Sequence, residues 1–232
     1  MAKAILITGA SRGIGLELAR QYALGGWRVF ACCRTPKDAG ALGRLAGESN
    51  GAVSVHQLDV TDIRRIWTLA GELKEERIDI LLNNAGTGEP EEQSFGHTDE
   101  AAWIEAFRVN TIGPMKLTEA FVNHVLRGDR KIIATMSSVM GSIGNNNSGG
   151  YYIYRSSKAA VDMVMKNISV DLETKGIIAV CLHPGWVRTE IGGPHAPLSP
   201  EEGVRELRRV LDSLTHKDNG RFLTYEGREI PW

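Results

Sequence analysis

Cysteine is scarce in this 232-residue sequence, in which only Cys32, Cys33 and Cys181 occur. Two adjacent cysteines and one distant cysteine do not make a disulfide framework, and free thiols are typical of a reducing compartment, so we expect a cytoplasmic protein. The 6 histidines stand without the spacing of metal ligands. We therefore expect no structural metal.

An excess of charge of one sign is also lacking, because 27 lysines and arginines stand against 28 aspartates and glutamates. No overall field attracts nucleic acid or anionic lipid, so we expect no nucleic-acid partner. No apolar run approaches the length of a membrane span, and an apolar run begins directly after Lys3, so we expect neither a leader nor stable membrane insertion. Nothing resembles a linker, and residues 1–232 are predicted to form one domain.

A glycine-rich turn follows the first apolar run of the chain. Residues 4–7 predict a buried strand, and the apolar spacing over residues 14–24 predicts a helix. The turn between them has the pattern Gly-x-x-x-Gly-x-Gly at positions 9–15. Backbone without side chains can approach a pyrophosphate at the positive end of a helix, so the turn predicts a dinucleotide site. A tight turn without a ligand is the alternative.

The second predicted strand, residues 27–33, ends where a fold that selects NAD would place an acid for the ribose hydroxyls. This chain has Cys33 followed by Arg34 there, and Arg12 lies in the glycine turn. Two guanidinium groups near one ribose suit a 2'-phosphate, so they favour NADP(H) over NAD(H). The alternative is that both are ordinary surface arginines.

Two further predicted strands end in small or polar residues. Residues 53–58 alternate between apolar and polar types and end at Asp59, and residues 78–82 run into the sequence Asn-Asn-Ala-Gly at positions 83–86. Because the carboxyl ends of the strands form the binding crevice of an open α/β sheet, we expect a ligand site there. The two asparagines could equally be turn residues that bond their own backbone.

One tyrosine of the three at positions 151–154 has a lysine four residues later, namely Tyr154 with Lys158. In a helix these side chains share one face. A cation about 4 Å from a phenol, at an effective dielectric of ~20, lowers the phenol pKa by about three units from ~10. A proton donor that works near neutral pH suits carbonyl reduction or alcohol oxidation. A pair on a solvated helix face is the alternative.

Together these motifs resemble the short-chain dehydrogenase/reductase family over nearly the whole chain. The resemblance rests on the glycine turn, Asp59, the Asn-Asn-Ala-Gly sequence, Asn110, Ser138, Tyr154 with Lys158, and Pro184-Gly185 with Thr189. It implies an α/β fold, with a single Rossmann-type domain built on a doubly wound, parallel, seven-stranded sheet. Residues 183–193 and 229–232 are most similar to the branch that contains C-factor and sniffer-type carbonyl reductases.

The resemblance also implies the site residues. The implied catalytic residues are Asn110, Ser138, Tyr154 and Lys158. The implied cofactor-binding residues are Thr8, Gly9, Ser11, Arg12, Gly13, Ile14, Gly15, Arg34, Asp59, Val60, Asn84, Ala85, Gly86, Tyr154, Lys158, Pro184, Gly185, Val187 and Thr189. The backbone near Val187 and the hydroxyl of Thr189 would meet the nicotinamide amide. Ser138 and Tyr154 are 16 positions apart, a few more than the family usually shows, and we assign the surplus to an exposed loop at residues 144–150.

The helical pattern of residues 101–126 is interrupted at Gly113 and Pro114. Pro114 has no N–H for the carbonyl oxygen of Asn110. That oxygen could then hold a water, which agrees with the family's asparagine-bound water that relays protons past the lysine. A simple helix kink is the alternative.

The sequence therefore predicts an NADP(H)-dependent oxidoreductase that passes hydride between the nicotinamide and a small-molecule carbonyl or secondary alcohol. Ser138 would hold the carbonyl oxygen, Tyr154 would give it a proton, and Lys158 would bind the nicotinamide ribose. Two alternatives on the same fold are a nucleotide-sensing signalling protein and a C-factor-like signal that acts through lipid alcohol oxidation. The family pairs subunits through the helices of Asn110 and Lys158, and the latter is apolar over more than one face, so we expect a homodimer or homotetramer.

Overall fold

The computed structural model describes residues 2–88 and 93–232. The strands are β1 (Ala4–Thr8), β2 (Arg28–Cys33), β3 (Val53–Gln57), β4 (Ile80–Asn83), β5 (Gln93–Ser94), β6 (His97–Thr98), β7 (Ile132–Met136), β8 (Ile178–His183) and β9 (Phe222–Thr224). The α-helices are α1 (Gly13–Leu24), α2 (Gly40–Glu48), α3 (Ile63–Glu72), α4 (Glu100–Phe107), α5 (Gly113–Leu126), α6 (Tyr152–Asp171) and α7 (Pro200–Ser213).

Seven of the strands form one parallel sheet in the order β3-β2-β1-β4-β7-β8-β9. The predicted seven-stranded, doubly wound sheet is confirmed. The chain winds outward from β1 in one direction through β2 and β3, and in the other direction from β4 to β9. The switch between the two directions falls between β1 and β4, where such sheets bind their ligands.

Helices cover both faces of the sheet, which explains why its inner strands β1, β4 and β7 are almost continuously apolar, whereas the edge strand β3 alternates. On β1, Ile5 and Ile7 pack on the side of α1, α2 and α7, whereas Leu6 packs on the side of α3, α5 and α6. Successive side chains of a strand point to opposite faces, so each residue of β1 contributes to one of two cores. The pairing of β1 with β2 and β4 sets its register and hence the position of the turn that follows it.

The interruption expected at Gly113 and Pro114 takes the form of a π-helical turn. Residues Arg108–Ile112 form this turn between α4 and α5, and the Gly113 N–H donates to the Arg108 carbonyl oxygen, five residues back. Pro114 then stands in the first turn of α5 and has no N–H to donate to the Asn110 carbonyl oxygen, four residues back. Asn110 lies within this turn, between α4 and α5, and its side chain is buried.

Membrane-spanning helices and clusters of metal ligands are both absent from the described residues. Within the described residues, no helix combines the length and the apolar character that a membrane crossing requires. Across residues 2–88 and 93–232, no cluster of three or more His, Cys, Asp or Glu side chains is placed to hold a metal ion.

Candidate active site

The glycine turn after β1 is fastened to the end of β4. The Thr8 hydroxyl oxygen accepts the N–H groups of Asn84 and Ala85, each at 3.0 Å. The Asn84 side-chain amide donates to the Thr8 carbonyl oxygen at 2.9 Å. The two predicted segments therefore meet at the switch point of the sheet, and Asn84 acts as a cross-link rather than as a turn residue that bonds its own backbone.

The glycines of the turn are required by close approach of the backbone. Gly9 has φ +67°, and a Cβ there would lie 2.8 Å from the Ala85 Cα. A Cβ on Gly15 would lie 2.2 Å from the Gly9 carbonyl oxygen and 2.5 Å from the Asn84 side-chain nitrogen. The start of α1 thus packs directly on the turn, and only glycine permits that contact.

The amino end of α1 is open to an anion. Arg12 precedes the helix, its side chain makes no capping bond, and the first turn of the helix holds no acidic residue. The first N–H groups of a helix lack partners within it, and the helix dipole makes them attract negative charge. Ser11 and Ile14 flank these groups and are half-buried. The turn accordingly fits the pyrophosphate of a dinucleotide.

The other predicted phosphate-binding residue, Arg34, lines a cavity of about 470 Å³ at the ends of β2 and β3. The lining residues are Arg34, Thr35, Gln57, Asp59, Asp62 and Arg65. The Asp59 carboxylate accepts the Thr61 N–H at 2.9 Å and the Thr61 hydroxyl at 2.7 Å, which holds it in place. Val60 is buried beside Gly113. The cavity is therefore mixed in charge, with two arginines and two aspartates.

Arg12 forms an ion pair that the amino-acid sequence did not indicate. Its guanidinium lies 2.9 Å from the Glu190 carboxylate, and both side chains are more than half exposed. Glu190 belongs to the segment after β8, so the ion pair joins the glycine turn to that segment. Arg34, in contrast, forms no ion pair with any residue that the structure describes.

Lys158 and Tyr154 share one face of α6, as their spacing predicts. The Lys158 ammonium lies 5.7 Å from the centroid of the Tyr154 ring and donates to the Met136 carbonyl oxygen at 2.9 Å. The position of a Cβ on Gly86 would be 3.7 Å from this ammonium and 3.3 Å from the Asn110 Oδ1. Three of the four predicted catalytic residues thus converge beside the end of β4.

Burial changes the pKa of Lys158 in this cluster. Desolvation lowers the pKa of Lys158 to about 8, although the negative charge of Asp162 opposes this effect. An ammonium with a pKa near 8 is still mostly protonated at neutral pH, so the cluster keeps a cation beside Tyr154.

Ser138 follows β7 and precedes a short 3₁₀ turn, Val139–Gly141. Its hydroxyl oxygen accepts the Met140 N–H at 3.2 Å, and its side chain is buried. Because the oxygen is used as an acceptor, the hydroxyl proton remains available as a donor. The next loop, predicted at residues 144–150, is exposed over residues 143–149 and includes two glycines with positive φ, Gly149 and Gly150.

The Asn110 side chain holds the surrounding segments together. Its Oδ1 accepts the Thr87 N–H at 2.9 Å, and its Nδ2 donates to the Ser157 hydroxyl at 3.0 Å. The Thr111 hydroxyl adds a bond to the Ser157 carbonyl oxygen at 2.9 Å. Asn110 therefore links the loop after β4 to α6, and only its main-chain carbonyl is a candidate for holding a water.

The segment after β8 folds back over the glycine turn. A Cβ on Gly13 would lie 3.2 Å from the Thr189 methyl group, so Thr189 packs against the start of α1. The Thr189 hydroxyl accepts the Gly192 N–H at 3.0 Å, and Val187 is buried. Pro184 leads into Gly185, whose φ of +81° turns the chain away from the sheet. The predicted nicotinamide-facing residues thus lie on the same edge as Lys158.

Three residues of this site were not found from the sequence. Ser157 binds Asn110 and donates to the Tyr154 carbonyl oxygen at 2.8 Å. The Gln93 Oε1, in the short strand β5, accepts the Tyr154 N–H at 3.0 Å although the two residues are distant in sequence. Asp162 lies buried one turn after Lys158, and an acid at that spacing within an apolar helix face was the signal that could have revealed it.

The chain is similar to known proteins in sequence and in fold. The family model described as short chain dehydrogenase matches residues 3–197. The chain is 41% identical to C-signal of Myxococcus xanthus over 155 residues, covering 67% of this chain and 93% of that protein. Its fold is similar to Carbonyl reductase Sniffer of D. melanogaster, with a TM-score of 0.93, 31% identity and full coverage of both chains. It is also similar to the NADPH-bound carbonyl reductase from chicken fatty liver, with a TM-score of 0.91, 33% identity, and coverage of 100% and 99%.

Proposed function

The chain belongs to the short-chain dehydrogenase family and is an oxidoreductase, and we propose that it reduces small carbonyl compounds with NADPH and oxidises the corresponding secondary alcohols with NADP. One observation carries this proposal: the Lys158 ammonium lies over the Tyr154 ring at the same sheet edge as the open amino end of α1. A cation, a phenol and an anion-binding turn at one edge suit a nicotinamide cofactor beside a proton donor.

The residues present fit such a cofactor. Gly9, Gly13 and Gly15 would let its pyrophosphate approach the first N–H groups of α1. Arg34 would face the 2'-phosphate, with Asp59 and Val60 beside the adenine half. Thr189 and the backbone at Val187 would hold the nicotinamide amide.

NADPH, when bound, supplies the hydride. Tyr154 donates a proton to the carbonyl oxygen of the substrate, because a phenol within reach of a buried cation gives up its proton more readily than a phenol in water. Lys158 provides that cation, and its ammonium has three donors, of which one is used by the Met136 carbonyl. The remaining donors would hold the nicotinamide ribose.

Ser138 and Asn110 complete the proposed arrangement. The Ser138 hydroxyl proton would bond to the substrate oxygen and stabilise the charge that develops there. The Asn110 main-chain carbonyl would hold the water through which Tyr154 regains its proton from solvent, past Lys158. The buried side chain of Asn110 fixes the position of that carbonyl.

The surface around the site favours apolar substrates. Phe95 is 87% exposed and its ring lies 6.4 Å from that of Tyr152, two residues before the proposed proton donor. Ile191 is also exposed and contacts the chain at Gly88, in the loop after β4. We therefore expect aromatic and aliphatic ketones or aldehydes to be better substrates than sugars.

A screen of carbonyl compounds and alcohols with both nicotinamide cofactors tests the proposal. Loss of absorbance of the reduced cofactor should appear with NADPH and apolar carbonyl compounds. Cofactor binding without turnover of any compound would contradict the proposal and favour a signalling role, which the similarity to C-signal supports as the alternative.

We also propose a cytoplasmic homodimer or homotetramer. Apolar side chains remain exposed on α4 to α6, including Ile104, Ile112, Met163 and Val170, which are each between 44% and 62% exposed. Symmetric pairing of these helices would bury them. Light scattering at micromolar concentration should give a mass of at least twice 25.4 kDa, whereas a monomer mass would contradict this assembly.

A further inference from the structure

Asp162 is a buried acid to which the proposed chemistry gives no task. It is 4% exposed and lies one helical turn after Lys158 on the same face of α6. A Cβ on Gly141 would lie 2.8 Å from the Asp162 Oδ2 and 2.9 Å from the Lys158 Cβ. Gly141 therefore closes the turn after Ser138 directly over both residues, and any larger residue there would clash with them.

The pocket around the two residues offers few other charges. Across the described residues, no side chain forms a hydrogen bond of normal geometry with either Asp162 oxygen. Asp162 interacts with the Ser137 hydroxyl, the Cys181 thiol of β8 and, through charge alone, the Lys158 ammonium, with which it forms no direct salt bridge among the described residues. Burial raises the pKa of the Cys181 thiol well above its usual value, so Cys181 is neutral.

We propose that Asp162 is the counter-ion that keeps Lys158 protonated, and that it serves the reaction as a positioning residue through Lys158 alone. A buried carboxylate is costly, and beside the Ser137 hydroxyl and the Cys181 thiol the Lys158 ammonium, itself desolvated, is the charged group that offsets this cost. The inference rests on the proposed function in so far as the Lys158 cation assists Tyr154.

The direction of the effect follows from the charges. Burial raises the pKa of Asp162 to about 6, so Asp162 is mostly anionic at neutral pH and above. Its negative charge raises the pKa of Lys158, which burial otherwise lowers, and the balance is about 8. Removing the charge should lower the Lys158 midpoint by roughly one to two pH units, the size expected for a unit charge beyond salt-bridge distance at an effective dielectric of ~20.

The direct test is the titration of Lys158 by NMR, with lysine labelled by ¹³C at Cε and the signal assigned by its absence from Lys158→Arg. Asp162→Asn should move the midpoint down by about one to two pH units. Asp171→Asn is the matched control, because Asp171 is exposed on the same helix about 20 Å further along. An unchanged or higher midpoint in Asp162→Asn would overturn the proposal.

The unmodified protein gives a second measurement that does not depend on the variant being folded. As Asp162 ionises, the Lys158 signal should show a separate, smaller inflection near pH 6. A single transition with no such inflection would also overturn the proposal.

Turnover separates this inference from the proposed function. At pH 7.5 the Asp162→Asn variant should lose about 3- to 25-fold in turnover, and at pH 5.5 the loss should be much smaller, because protonation of Lys158 recovers there. An equal loss at both pH values would indicate a purely structural role and refute the positioning role. If the unmodified protein reduces no carbonyl compound, the proposed function fails while the NMR titration still decides the role of Asp162.

Discussion

Replacing Arg34 by aspartate should weaken the binding of NADPH and strengthen that of NADH. Arg34 lines the cavity beside Asp59 and is exposed, and it makes no ion pair with the described residues. Arg12 is paired with Glu190, and Arg65 is bound to the Glu72 carboxylate at 2.6 Å. Arg34 is therefore the arginine that can turn to a 2'-phosphate without breaking an existing pair.

The magnitude follows from one charged hydrogen bond at an exposed site. Such a bond contributes ~1.5 to 3 kcal/mol, and solvent exposure reduces this to about 1 to 2 kcal/mol. The unmodified protein should then prefer NADPH by roughly 5- to 30-fold. This is less than two unpaired arginines would give, because Arg12 must first leave Glu190. The carboxylate of Arg34→Asp would repel the phosphate and accept the ribose hydroxyls of NADH, which should reverse the preference.

Titration of each cofactor, followed by tryptophan fluorescence or calorimetry, measures both dissociation constants. Lys217→Asp is the matched control, because it changes the net charge equally before β9, at the opposite edge of the sheet. Its ratio of dissociation constants should equal that of the unmodified protein. Equal or tighter binding of NADH by the unmodified protein, or an unchanged ratio in Arg34→Asp, would refute the reasoning.

Two further substitutions test how the site is held. Gly15→Ala should abolish cofactor binding or folding, because its Cβ would lie 2.2 Å from the Gly9 carbonyl oxygen, and a variant that binds NADPH normally would contradict this packing. Gly43→Ala is the control: its Cβ would meet open space, so it should stabilise α2 by up to about 1 kcal/mol in a denaturant titration. Gln93→Met should lower the free energy of unfolding by about 1 kcal/mol and lower kcat more than it changes KM, because the Tyr154 N–H loses its acceptor. Gln93→Glu keeps an acceptor oxygen and should restore kcat, so equal kcat values in the two Gln93 variants would speak against this role.

The sequence was sufficient for the parts of the molecule that depend on local pattern. Apolar runs and the glycine turn predicted β1 and α1, and the spacing of Tyr154 and Lys158 placed both on one face of α6. These features depend on neighbouring residues in the chain, and the physical rules for strands, turns and helix faces act at that range.

Contacts between distant segments could not be predicted in this way. Gln93 reaches Tyr154 across 61 positions, and no local pattern marks an uncharged glutamine as a cap for a remote helix. Asn110 in the π-helical turn bonds to two other segments, which no local pattern shows, so Pro114 alone indicated only an interruption. The pairing of Arg12 with Glu190 likewise depends on how the segment after β8 folds back.

In the proposed reaction Tyr154 delivers the proton to the substrate oxygen. Tyr154→Phe removes the hydroxyl and keeps the ring that faces Lys158. This variant should keep the dissociation constant for NADPH and lose at least ~100-fold in turnover, the loss expected when a general acid is removed. A Tyr154→Phe variant that binds NADPH and keeps more than a third of the turnover of the unmodified protein would contradict this role of Tyr154. Each tenfold step in rate corresponds to ~1.4 kcal/mol in the barrier, so the expected loss is about 3 kcal/mol.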